Sequence, residues 1–360
     1  MDQVPHPTPP TQQLPIVPQP QTAMTSESTP QPIMELDFLV PQRFAAYDLS
    51  RPPGYRNLGS GVGVKYARVE EAGGKEYHCR RISDISETKS DIIFADWLWF
   101  CLDADRVEQI KSFLACEAFI KIIYGSELCM LNFPLNELNR LLDPDEHIII
   151  THNTAYQRKL YKSRKIYDSM YLCDPIPGHC FFPEAQKQRR LVCMGQINEP
   201  KRSDLVLQIF QELKGEVETM YIGGNLVWGE NKNKTDAELH TEIKDTADIF
   251  IENATQAEVA EKVNESAFFA HVAVMDCSST CQQENATAGN ITFALTHPTM
   301  KERTPYCFNN VDALINAIKE YPELGSEKHR DDMNAALETS KMWTYEAWRS
   351  QITDILRIVL

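Results

Sequence analysis

From Met34 onward, short apolar runs alternate with amphipathic stretches, and this alternation constrains the fold more than any other feature of the chain. In the first half, Phe38–Val40, Phe44–Tyr47, Tyr77–Ile82, Ile92–Ala95, Ile120–Tyr124 and Ile148–Thr151 read as strands, with helices at Val107–Cys116 and Asn136–Leu142. In the second half, Leu191–Met194, Thr219–Ile222, Ile249–Ile251, Phe268–Val274 and Ile291–Ala294 read as strands. Helices separate them at Asp204–Leu213, Thr235–Lys244, Glu258–Glu265 and Val311–Lys319, the last with Val311, Leu314, Ile315 and Ile318 on one face. Strands alternating with helices at this spacing fit a parallel sheet covered on both sides, an α/β architecture.

At 360 residues the chain exceeds the usual size of one hydrophobic core, so two domains are expected. The break between the two series falls near residues 174–188, where Pro175, Pro177, Gly178 and Pro183 interrupt regular structure. The predicted organisation is a tail over residues 1–34, one domain over 35–175, a second over 176–340, and a closing helix over 341–360. The tail holds nine of the 21 prolines and few large apolar residues, too little burial to offset its chain entropy, so it is expected to be disordered.

A net charge of −15 argues against nucleic acid as the main partner, because phosphate backbones are bound by surplus Lys and Arg. The basic cluster Arg158-Lys159 to Arg164-Lys165 reads as a solvated helix face, so membrane contact is peripheral at most. No run of 18 apolar residues occurs, and the stretch after Met1 lacks a basic and then apolar leader. With ten singly spaced cysteines, a reduced cytoplasmic setting is expected. Cys277-x3-Cys281 and His179-Cys180 do not make a four-ligand set, so no metal is expected.

Several ordered pieces of the second series carry chemistry. Arg190 to Lys201 is a strand followed by Gly195-Gln196-x4-Lys201. Tyr221-Ile222-Gly223-Gly224 is a strand ending in a glycine turn, and Asp276-x7-Glu284 leads into Glu284-Asn285-Ala286-Thr287-Ala288-Gly289. In their order and spacing these resemble retaining glycosyltransferases of the GT-B fold, in particular the glycogen-synthase-like and sucrose-synthase-like family four. Asp174-Pro175-Ile176 with Phe181-Phe182-Pro183 upstream, and Trp343 to Trp348 downstream, extend the resemblance over roughly residues 170–355.

The resemblance implies two Rossmann-like β/α/β domains facing a central cleft, with the C-terminal helix crossing back to the first. It implies a nucleotide-sugar donor, UDP- or GDP-linked, as co-substrate with no other cofactor. The acceptor is an unidentified glycan, lipid or protein. Lys201 stands where the family places its phosphate lysine, and Gln196 replaces the family arginine. Arg202 is the neighbouring cation, able to offset diphosphate charge. Glu284 is expected to accept the ribose hydroxyls and Asp276 to face the sugar, so Lys201, Asp276 and Glu284 form the expected catalytic set. Gly195, Gly223, Ser278, Ser279 and Thr280 complete the expected donor site, the last three offering N–H groups and hydroxyls near a helix start.

On the acceptor side, Gly61 and Gly63 resemble the family's first glycine loop. Trp97 and Glu127 are cleft candidates because they follow strand ends, where ligands of such sheets bind. His152 and Asn153 end the next strand. Gln196 for arginine, Asp276 for glutamate and the absent Gly-Phe-Gly motivate an alternative, a GT-B module that binds or assembles without catalysis. An NAD-dependent oxidoreductase is a weaker fit, since no strong strand directly precedes the glycine loop and no ribose-binding acid follows it about 20 residues on.

Overall fold

The computed structural model describes residues 34–41, 60–96, 99–100, 106–124, 148–163, 169–184, 186–224, 234–252, 254–273 and 279–360. The tail to residue 33, the expected strand Phe44–Tyr47 and the expected helix Asn136–Leu142 lie outside them, as do Trp97, Glu127, Asp276 and Ser278. Met34, assigned to the tail from sequence, is instead the first residue of a strand.

The first sheet is built from β1 (Met34–Leu39), β2 (Tyr77–Ile82), β3 (Ile92–Asp96), β4 (Ile120–Tyr124), β5 (Ile148–His152) and β6 (Ser169–Tyr171). The second comprises β7 (Gln188–Gln196), β8 (Glu218–Gly224), β9 (Ile249–Ile251), β10 (Ser266–His271), β11 (Ile291–Leu295) and β12 (Cys307–Phe308). Their strand orders are β2-β1-β3-β4-β5-β6 and β12-β11-β10-β7-β8-β9, and every pairing is parallel. The second is the doubly wound Rossmann order, with its switch point between β7 and β10.

Helix α1 (Ser60–Gly73) follows β1, α2 (Arg106–Ala115) follows β3 and α3 (Ala155–Ser163) follows β5. In the second series come α4 (Ser203–Leu213), α5 (Lys234–Thr246), α6 (Gln256–Glu265), α7 (Thr280–Thr287), α8 (Pro298–Lys301) and α9 (Val311–Lys319). Helices α10 (Glu327–Ser340) and α11 (Tyr345–Val359) close the chain. α1 begins at Ser60 and so takes in Gly61 and Gly63, expected from the sequence in a glycine loop. First-turn N–H groups have no intrahelical acceptor in any case, so glycine disrupts less there than in a helix interior.

An apolar layer covers the second sheet. Ile209, Phe210 and Leu213 of α4 and Leu314, Ile315 and Ile318 of α9 pack on one face. α11 carries Trp348, Ile352, Ile355 and Leu356, an i, i+4, i+7, i+8 stripe that is buried with Phe38 and Phe94 of the first sheet. Thr344 caps this helix by accepting from the Ala347 amide at 3.1 Å. Arg349 then donates to the Ala72 carbonyl of α1 at 2.8 Å. The two halves also meet where the Glu302 carboxylate accepts from the Ala155 and Tyr156 amides, at 3.0 and 2.8 Å, and so caps α3 from the other series.

Candidate functional site

The end of β7 is shaped by two glycines. Gly195 and Gly223 are register partners on β7 and β8, and Gly195 has φ +129, a conformation that favours glycine. A Cβ on Gly223 would lie 1.9 Å from the Gly195 carbonyl oxygen, so only glycine lets the strands approach this closely. That oxygen accepts from the Tyr221 hydroxyl at 3.1 Å.

Past Gly195 the chain is tied into a compact loop. Asn198 donates to the Gln196 side-chain oxygen at 2.9 Å and accepts from the Lys201 amide at 3.0 Å. Ser203 and Asn198 exchange hydrogen bonds, the Asn198 amide donating at 3.0 Å and the Ser203 hydroxyl at 3.2 Å. Arg202 sits between them at φ 53, the left-handed region, and is the sole described non-glycine residue there. Such strain costs of order 1–3 kcal/mol and persists only where neighbours fix it. Its guanidinium grips Asp204 at 3.0 and 2.9 Å. That bond holds the Asp204 carboxyl below its usual range. Arg202 is therefore committed to its neighbour.

Gln196 and Lys201 line a small recess with Cys193, Met194, Tyr221, His271, Ser279 and Cys281. The recess lies at the C-terminal ends of β7 and β10, the switch point where doubly wound sheets bind ligands. The N-terminus of α7 closes it, and Ser279 caps that helix by accepting from the Gln282 amide at 3.3 Å. A recess lined by a lysine and a helix cap at a strand switch point suits a bound anion. Burial pushes the Cys193 thiol far above its ordinary range, so it offers no thiolate nucleophile at neutral pH.

Of the residues expected from sequence, Gln196, Lys201 and Ser279 come together here. Thr280 opens α7 beside them. Tyr221, His271 and Cys281 were not among the residues expected at the donor site. The rule that strand C-terminal ends face the ligand would have found His271, the last residue of β10. Glu284 does not line the recess. It lies one turn beyond Cys281 on α7, 5% exposed, in an ion pair with Arg68 of α1.

The C-terminal ends of β3 and β4 are closed from inside by a polar network. Lys65 lies 3.4 Å from both Asp96 and Asp174, with its ammonium 4.0 Å from the centre of the Tyr124 ring. The Tyr66 hydroxyl donates to Asp96, and Tyr124 donates to Asp174 at 3.0 Å. Burial first, and the neighbouring carboxylates second, raise both phenols well above their ordinary range. Buried charges are tolerated when paired in this way.

His152, at the end of β5, is buried, with its ring edge-on to Tyr171 at 5.9 Å. Desolvation, helped by Arg158, pushes its imidazole down to about 4. It is therefore neutral at pH 7 and cannot serve as a cation for phosphate. In the unfolded chain it titrates near 6.5, so between pH 6.5 and 4 the unfolded state binds more protons. His152 therefore gives its full share of stability above pH 6.5 and loses it as pH falls towards 4. Urea unfolding is expected to show a loss of about 1–3 kcal/mol between pH 7 and 4.5 from this group, absent in His152→Asn. An unchanged pH slope in that variant would refute the assignment.

Among the described residues no group of His, Cys, Asp and Glu is arranged to hold a metal ion, and no helix is long and apolar enough to cross a membrane. No protein-family model matches the chain, and no curated protein matches it in sequence. Solved structures do match. HepE from Anabaena, in complex with UDP and glucose, is similar at 10% identity and TM-score 0.62, over 90% of this chain and 99% of that one. Sucrose-phosphate synthase from Thermosynechococcus elongatus is similar at 12% identity and TM-score 0.67, over 91% and 99%. A glycosyltransferase from Rickettsia africae is similar at 12% identity and TM-score 0.61, over 91% and 98%. With the two parallel six-stranded sheets, these likenesses establish the GT-B fold.

Proposed function

We propose that this protein is a glycosyltransferase that moves a sugar from a nucleoside-diphosphate sugar to an acceptor hydroxyl, without a metal and with retention at the anomeric carbon. The observation that carries the reading is the recess at the β7/β10 switch point, lined by Lys201 and by Ser279, the cap of α7. In the reaction the anomeric C–O bond to the diphosphate breaks. The acceptor oxygen bonds the same carbon on the same face, and its proton leaves with the diphosphate. Lys201 and the N–H groups of α7 stabilise the charge that develops on the leaving group. Glu284 accepts the ribose hydroxyls and Asp276 faces the sugar, the roles implied by the resemblance of Asp276-x7-Glu284 to the family's paired carboxylates. The UDP in the Anabaena HepE structure supports a UDP-linked donor, with GDP the second choice. The domain boundary we propose lies at Pro175/Ile176, with residues 341–360 returning to the first domain.

A thermal-shift screen against UDP-, GDP- and ADP-sugars tests the reading. A ligand that binds only the folded state at 100 times its Kd stabilises by about 2.7 kcal/mol, so the true donor is expected to raise Tm by several degrees. No shift with any of them, at millimolar concentration, would refute it.

A second reading is a GT-B module that binds nucleotide without transfer. Gln196 in place of a cation and the engagement of Glu284 with Arg68 favour it. Sugar transfer or donor hydrolysis that is lost in both Lys201→Ala and Glu284→Ala would exclude it.

A further inference from the structure

The Glu284 carboxylate is 5% exposed. A carboxylate so buried costs several kcal/mol unless a cation and hydrogen bonds compensate it. The compensating cation comes from the other half of the chain. Arg68, on α1 and fully buried, donates through Nη2 to Glu284 Oε1, across 216 residues of sequence. The same Nη2 donates to the Gln256 side-chain oxygen at 2.8 Å, at the start of α6. The guanidinium carbon lies 5.4 Å from the centre of the Phe181 ring, in the segment that joins the two halves.

Arg68 does not hang from a loose element. One turn before it, Lys65 is anchored between Asp96 and Asp174. One turn after it, Glu71 accepts from the Tyr345 hydroxyl at 2.7 Å and Ala72 from Arg349 at 2.8 Å, both on α11. Glu284 is thus indexed to the frame of the first sheet. Two further features point to a ligand. Glu284 Oε2 makes no hydrogen bond among the described residues, so only one carboxylate oxygen is spent on the pair. Arg68 Nε and Nη1 are buried donors with no partner among the described residues, and buried donors of this kind are ordinarily satisfied by water or ligand.

We propose that Arg68 is a positioning residue for the nucleotide. From the acceptor-side half it holds the Glu284 carboxylate so that Oε2 accepts the vicinal hydroxyls of the donor ribose, and the nucleotide is read by both halves at once. This rests on the nucleotide-sugar reading above. Its signature is specific: losing Arg68 weakens recognition of the ribose hydroxyls, whereas merely loosening the fold would weaken every nucleotide alike.

The test measures affinities of the full chain for UDP and GDP and for their 2′,3′-dideoxy counterparts. The proteins are wild type, Arg68→Gln, Arg68→Met and Arg68→Lys. Wild type is expected to prefer the ribonucleotide by about tenfold or more, as for hydrogen bonds to a charged group. In Arg68→Gln and Arg68→Met that preference should fall to about threefold or less, with dideoxy binding little changed, and Arg68→Lys should recover part of it. Either neutral variant, folded and with the wild-type preference intact, overturns the proposal. Hydrogen exchange on wild type gives a measurement that needs no variant to fold. UDP, but not its dideoxy counterpart, should slow exchange of the α1 amides around Arg68, and equal effects of the two overturn it. Wild-type protein that binds neither diphosphate overturns the nucleotide-site reading itself. Wild-type binding with no ribose preference overturns the role of Arg68 and Glu284 alone.

Discussion

Lys201→Ala is expected to lower affinity for the nucleoside diphosphate by about 10- to 100-fold, since hydrogen bonds to charged groups contribute about 1.5–3 kcal/mol. The reason is positional. Lys201 lines the recess at the β7/β10 switch point, and its amide is pinned by Asn198 at 3.0 Å. Arg202→Ala is the control. It removes an equal charge one residue away, from a side chain that does not line the recess. Its effect should stay within about threefold, the scale of an exposed ion pair. Titration calorimetry with UDP and GDP checks both. Equal losses in the two variants would mean that general electrostatics, not a built phosphate site, governs binding. If the diphosphate departs in the slow step, Lys201→Ala should lower kcat as well, because the charge it stabilises grows in the transition state.

Gly223→Ala is expected to destabilise the fold by about 3–5 kcal/mol, in the range of severe backbone clashes. The added methyl would stand 1.9 Å from the Gly195 carbonyl oxygen, which is backbone and cannot rotate away. β7 and β8 would have to separate at their ligand-facing ends. Gly195→Ala is a milder case, with nothing within 4 Å of its Cβ and only φ +129 to strain it. It should cost about 1–3 kcal/mol. Urea unfolding of both variants checks the order. A Gly195→Ala variant less stable than Gly223→Ala would overturn the argument. Because the pair shapes the loop to Lys201, Gly223→Ala should also weaken nucleotide binding in whatever fraction remains folded.

The layers of both sheets and the turn at the end of β7 were legible in the sequence. Apolar runs such as Ile120–Tyr124 and Leu191–Met194 became central parallel strands, and the Val311–Lys319 periodicity became a helix with the same ends. These signals are local, because strand and helix periods are written in neighbouring residues. The same holds for Gly195, Gln196 and Lys201, which lie within seven residues and share one turn at the end of one strand.

The pairings between distant residues come from the fold alone. Tyr221, His271 and Cys281 reach the recess from three different elements, so no spacing announces them. Arg202 and Lys201 are adjacent and equally charged, yet Lys201 lines the recess while Arg202 takes a left-handed backbone and pairs with Asp204. Lys65, Asp96 and Asp174 form one buried network from positions that mean nothing to each other in sequence. Arg68 and Glu284 are the extreme case. A buried carboxylate demands a cation, but chain order does not say which one, because the partner is set by which helices the two sheets bring into contact. The turn after β7 could be read from neighbouring residues, but that Glu284 is held by Arg68 of the other half could be learned only from the fold.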